Sequence, residues 1–66
     1  MQEYQARVIV ERDELSDKLQ RLYTFILSPK FNDLEVDEKL RMSCQYAYMK
    51  SYYEILKLRI LFFKES

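Results

Sequence analysis

Glycine, histidine and tryptophan are absent from these 66 residues, and proline and cysteine occur once each. Each absence closes off a class of protein. Without glycine there is no glycine-rich loop to cradle a phosphate. With no histidine and a single thiol, Cys44, one copy of the chain can build neither a zinc-type ligand set nor an intrachain disulfide, and no imidazole can activate a nucleophile. No catalytic residue, no metal ligand and no cofactor is therefore expected. A lone cysteine on an apolar helical face reads as a small core residue, and its free thiol suits a reducing cytoplasm.

Charge of either sign in excess is also missing. Eleven basic and eleven acidic residues cancel, which removes the net positive footprint on which duplex binding depends, so no nucleic-acid partner is expected. The start, Met1-Gln2-Glu3-Tyr4, lacks the charged-then-apolar layout of a signal peptide, and no apolar run approaches the roughly 18 residues of a spanning helix. Acidic Glu54 interrupts the stretch from Tyr52 to Phe63 as an interfacial membrane binder. A soluble protein of the cytoplasm, with no membrane partner, is the expectation.

What is present favours helix throughout, with Pro29 near mid-chain marking the turn. The fold class is all-α: an antiparallel two-helix hairpin in one domain, 1–66, with helix one over about 2–27, a connection over 28–35 that holds a short helical turn, and helix two over about 36–64. Glu3 with Arg7, Glu14 with Lys18 and Asp17 with Arg21 set acid four before base, the supportive order. Ser28-Pro29 stops the first helix, and Ser28 can cap a new turn with Pro29 at its first position. Phe31 and Leu34 then fold that turn over the end of the hairpin. Asp37 and Glu38 suit the start of helix two.

Helix two carries more apolar circumference than one partner helix can cover. One row reads Met42, Tyr46, Met49, Tyr53, Leu56, Ile60, Phe63, and a second runs beside it through Leu40, Cys44, Ala47, Ile55, Leu58 and Phe62. Helix one supplies Tyr4, Val8, Leu15, Leu22 and Phe25 or Ile26, with Leu19 alongside. A chain this short also gains from oligomerisation when staples and metals are absent. The spare row therefore points to a symmetric helical-bundle homo-oligomer, with the chain itself as a partner.

A strict heptad on helix one runs Tyr4, Val8, Glu11, Leu15, Lys18, Leu22, Phe25, which puts Glu11 and Lys18 in the seam. A turn centred near Asn32 sets Lys18 opposite Gln45 and Glu11 near Tyr52 and Tyr53. Helix two does likewise with Gln45 and Arg59, flanked by Tyr52. Two readings stay open. Polar seam residues can fix register and oligomer state. Alternatively, Arg7, Lys18 and Arg59 can hold an anionic ligand while tyrosines stack on its rings.

The order Tyr4-x-x-Arg7-Val8-x-x-Glu11-x-x-x-Leu15-x-x-Lys18, followed by Phe25, Phe31-Asn32-x-Leu34 and Gln45-x-x-x-Met49-x-x-Tyr52-x-x-x-Leu56-x-x-Arg59-Ile60-x-x-Phe63, resembles a family of short helical-hairpin proteins of tailed bacteriophages, crAss-like and T-even phages among them. The likeness spans nearly the whole chain. Departures are Met42 where leucine is usual, Val36 where proline often opens the second helix, and the added aromatics Tyr46, Tyr48 and Tyr53. The resemblance implies counter-defence in the host bacterial cytoplasm by a sponge that binds a nucleotide second messenger without cleaving it. A cyclic ADP-ribose isomer or a cyclic dinucleotide is the implied ligand class, signals of the kind used by the Thoeris and CBASS defence systems. It also implies ligand-binding roles for Tyr4, Arg7, Lys18, Gln45, Tyr52 and Arg59: Arg7, Lys18 and Arg59 on phosphates or ribose, Tyr4 and Tyr52 stacking, Gln45 reading a base edge. The rival expectation is an interaction module or antitoxin-like inhibitor that grips a host protein through the spare apolar row.

Overall fold

The computed structural model describes residues 1–64; the last two residues of the expected 1–66 domain lie outside them. Helix α1 spans Glu3–Ile26, a single turn α2 spans Pro29–Asn32, and α3 spans Val36–Leu61. The hairpin is a rod of 51 × 15 × 14 Å with a radius of gyration of 15.2 Å, well above the roughly 11 Å of a compact chain this long. One layer of helices cannot enclose much, so most side chains keep one face in solvent.

α1 begins with Gln2 in extended backbone, and the Gln2 N–H donates to the Gln5 side-chain carbonyl at 2.8 Å, a third-position side chain reaching back to the cap. The other end of the Gln5 amide donates to the Lys64 carbonyl at 3.2 Å. Gln5 is thus 3% exposed with both ends of its amide partnered, as a buried polar group requires, and it ties the two chain ends together. At the turn, Ser28 does not cap α2 with its side chain. Its Oγ instead donates to the Phe25 carbonyl at 2.6 Å, which also accepts the Ser28 backbone N–H at 2.9 Å. Phe31 covers the same end, its ring edge-on to Phe25 with centroids 6.4 Å apart, and Leu34 is half-buried nearby. α3 stops at Leu61, short of the expected 64, with Asp37 and Glu38 in its first turn and Arg59 in its last.

The core is Val8, Leu15 and Leu19 of α1 around Leu56 of α3, which is the one fully buried large side chain among the described residues. Tyr46, Met49, Tyr53, Ile60 and Phe63 pack against it half-buried. The first apolar row of α3 is therefore the seam, as expected. On α1 the phase differs: the inward positions are Gln5, Val8, Arg12, Leu15, Leu19, Leu22 and Ile26, all buried or half-buried. Leu19 and Ile26 bury more apolar surface than Lys18 and Phe25 would in the same phase. The helix is accordingly rotated by about 50°, half a residue, from the expected heptad, with Val8, Leu15 and Leu22 kept in the seam. Lys18 is exposed and Glu11 only half-buried. Tyr4 lies on the rim at 50% exposure, edge-on to Phe63 with centroids 5.8 Å apart. That contact and the Tyr23–Tyr46 pair at 5.7 Å centre the register near Leu34 instead of Asn32.

The second apolar row of α3 has no cover from its own chain. Leu40, Ile55, Leu58 and Phe62 are exposed, Phe62 at 74%, with Tyr48 beside them at 76%. Cys44 and Ala47 are exposed too, so the thiol belongs to this outer face and not to the hairpin core. Among the described residues no helix is long and apolar enough to cross a membrane.

Since Leu56 is where the seam closes completely, Leu56→Ala is expected to cost about 2–5 kcal/mol. Thermal unfolding followed by circular dichroism at fixed protein concentration checks this, with the exposed Glu14→Ala expected within about 0.5 kcal/mol of the parent.

Candidate functional site

The six residues singled out from the sequence sit beside the seam or on the back of α1. Tyr4 and Lys18 each precede a seam position of α1, as Gln45, Tyr52 and Arg59 do on α3. In an antiparallel pair, residues of that same heptad phase fall on the same side of the seam, so these five share one long flank of the hairpin. Gln45 and Arg59 are thus rim residues and not seam residues, both exposed, with Tyr52 at 44% exposure between them along the helix. The Gln45 amide lies over its own helix, with Nε2 3.6 Å from Met49 Sδ. Arg7 stands apart, further round on α1, where it pairs with Glu3 at 3.2 Å.

The cations differ in how far they are already engaged. The expected Asp17–Arg21 pair forms at 3.0 Å, Arg41 pairs with Glu38 at 2.9 Å, and Glu54 takes both Lys50 and Lys57, at 3.7 and 3.3 Å. Lys18 and Arg59 form no ion pair among the described residues, so the expected Glu14–Lys18 pair is not made. An exposed pair of this type contributes only a few tenths of a kcal/mol, little more than its ordering entropy. The two cations available on the flank are therefore Lys18 and Arg59, with Tyr4 and Tyr52 as neighbouring aromatic faces and the half-buried Glu11, of the same phase, between Tyr4 and Lys18. Such a strip can place charge-assisted donors on phosphate and a π-surface against a base.

A shallow concavity on the back of α1, lined by Glu3, Ala6, Arg7, Val10, Glu11 and Glu14 and reaching the flank at Glu11, has the opposite chemistry. Three carboxylates surround one guanidinium that is already paired with Glu3, and an anion would be repelled. Arg7 alone among the expected ligand residues lines it. The candidate flank is an open strip on a single hairpin, and a ligand held there would need a second wall.

Two polar seam residues escaped the sequence reading: Gln5, described above, and Arg12, whose guanidinium meets Asp13 at 3.0 Å while its stem packs half-buried. The signal was available in the heptad phase through residues 5, 12, 19 and 26, where Leu19 and Ile26 supply the apolar partners.

The Sequestin family model matches residues 2–62. The chain belongs to the Sequestin family. An uncharacterized 7.5 kDa protein of the denB–rIIB intergenic region of Enterobacteria phage T4 is 43% identical over 61 residues, covering 92% of this chain and 95% of the T4 protein. That relative bears out the resemblance to hairpin proteins of T-even phages. No solved structure matches the chain. Sequestin is a name for a sequestering role, which is that of a binding protein.

Because the flank side chains are exposed and carry no part of the core, Lys18→Ala and Arg59→Ala are each expected to leave stability within about 0.5 kcal/mol of the parent. Chemical denaturation of the two variants checks this, and it qualifies them as clean probes of binding.

Proposed function

We propose that this protein is a phage anti-defence sponge that binds a small anionic nucleotide signal of bacterial immunity, of the cyclic ADP-ribose or cyclic dinucleotide type, and holds it without cleaving it in the host cytoplasm. The observation that carries this reading is the flank: Tyr4, Lys18, Gln45, Tyr52 and Arg59 share one side of the hairpin, with two cations uncommitted to any described carboxylate. Membership of a family named for sequestering supports it, as does the T4 relative. A sponge needs affinity and abundance and no reacting group. The flank is open on one hairpin, so the second wall is assigned to another copy of the chain, in a homo-oligomer that buries the spare row of α3 and multiplies the site by symmetry. Arg7 lies outside this strip, on the acidic back of α1 beside Glu3, Glu11 and Glu14, so the proposed site does without it.

A second reading rests on a different observation, the exposed outer face of α3. A host protein helix could lie along Leu40, Ile55, Leu58 and Phe62 in the manner of a helix in a groove, making this an inhibitory interaction module. The two readings part over the flank. In the sponge, Arg59→Ala and Lys18→Ala weaken ligand binding by roughly ten-fold or more each, the loss of a charge-assisted contact. In the module they change nothing.

Native mass spectrometry of the protein with a panel of cyclic ADP-ribose isomers and cyclic dinucleotides tests the proposal. A mass increment from one of them is expected, with that compound recovered chemically unchanged after denaturation. Binding to none of the panel, or recovery of a cleaved product, would sink it.

A further inference from the structure

The outer row of α3 is symmetric about its own midpoint. Leu40, Cys44, Ala47, Ser51, Ile55, Leu58 and Phe62 step by four, three, four, four, three and four, the same forwards and backwards. At 3.6 residues per turn all seven fall within about 40° of the direction of Ser51. Reversing the helix about Ser51 brings Leu40 level with Phe62, Cys44 level with Leu58 and Ala47 level with Ile55. Members of each pair are displaced to opposite sides of the midline, so they pass beside one another. Near the centre a small side chain meets a large one, Ala47 with Ile55 and Cys44 with Leu58, the complementarity that interdigitated packing needs. Ser51 itself makes no demand on a partner there, since its Oγ donates to the Ala47 carbonyl at 3.1 Å.

We propose that two copies of this chain pair through the outer row of α3, antiparallel about a two-fold axis at Ser51, and that the pairing sets Arg41 of one copy beside the partner's Arg59. Charge favours this orientation on one flank. Lys50 and Glu54, which pair with each other at 3.7 Å on the same helix, lie within about 3 Å in height of the partner's Glu54 and Lys50, so each can exchange its partner across the axis. A parallel pairing would carry the partner's Lys50 and Glu54 to the opposite flank, out of reach of this exchange. On the opposite flank, Arg41 and the partner's Arg59 differ in height by a similar amount, with Tyr48 and Tyr52 of both copies between the two symmetry-related arginine pairs. Those pairs stand about 27 Å apart along the rod. This flank is continuous with the one that carries Gln45, Tyr52 and Arg59 in a single hairpin. Arg41 keeps Glu38 at 2.9 Å and has Asp37 one turn before it, so a phosphate-bearing anion bound by the two guanidiniums takes the place of a weak exposed carboxylate pair. The inference deepens the sponge reading, on which its anion site rests, whereas the pairing itself requires only the geometry of α3.

Crosslinking tests the pairing without any ligand. In a Cys44→Ser background, Ser51→Cys treated with diamide is expected to give a disulfide-linked dimer at least roughly ten-fold faster than Thr24→Cys, an exposed control on α1, because the axis holds two copies of residue 51 at high effective concentration. Ile55→Glu, at a position exposed in the single hairpin, is expected to leave helicity intact and convert the dimer to monomer by light scattering. A wild-type protein that is monomeric at micromolar concentration, or crosslinking at residue 51 no faster than at residue 24, would overturn the pairing. Inorganic pyrophosphate is expected to tighten the wild-type dimer several-fold and to have no such effect on Arg41→Ala. An equal response in both proteins, or none in either, would overturn the arginine site while leaving the pairing in place, and it is read separately from the panel of nucleotide signals.

Discussion

Everything in this hairpin hangs on the burial of Leu56 among Val8, Leu15 and Leu19. Two helices side by side have one line of contact, and a large side chain is surrounded completely only where facing side chains close over it, which happens here toward the open end of the hairpin, five residues before α3 stops. The seam residues to either side, from Met42 to Phe63, are half-buried because a single layer leaves their outer halves in water. Ring contacts and the Gln5 bridge to Lys64 close the two ends of the seam, where aliphatic packing thins out. The energetic consequence is a small core for 66 residues, and small chains of this kind gain from whatever else their surfaces can bury.

The circumference of α3 is divided accordingly. One side goes to α1, the opposite side carries Leu40, Ile55, Leu58 and Phe62 into solvent, and between them runs the polar flank of Gln45, Tyr52 and Arg59. In such an arrangement, association and ligand binding are neighbouring events on one helix. Whatever covers the apolar side also builds a wall beside the flank. A binding protein of minimal length is economical in this sense: each turn of α3 contributes to the fold, to association and to recognition.

The phase of α1 shows where a sequence reading goes astray. Heptads through Tyr4, Lys18 and Phe25 and through Gln5, Leu19 and Ile26 both contain Val8, Leu15 and Leu22, and a period alone does not choose between them. The choice falls to total apolar burial, and it admits Gln5 only because both ends of its amide find backbone partners, one of them 59 residues away. Ser28 makes the same point locally. Its place before Pro29 marks it as a cap, yet the hydroxyl turns back to the Phe25 carbonyl, the same acceptor its own N–H reaches at 2.9 Å.

Helix content, the position of the turn, the antiparallel pairing and the two-row character of α3 were all determined by the order of residues, because each follows from local propensity or from a 3.6-residue period. The common phase of Gln45, Tyr52 and Arg59 was visible in the same way, as spacing on one helix, but their place on the rim instead of in the seam was not. Tertiary structure alone decided the rotation of α1, the exposure of Lys18, the burial of Gln5 and Arg12, and the opposite chemistry of the acidic concavity beside Arg7. Those depend on which of two nearly equivalent faces buries more apolar surface once both helices are present, a comparison that no single segment of the chain contains.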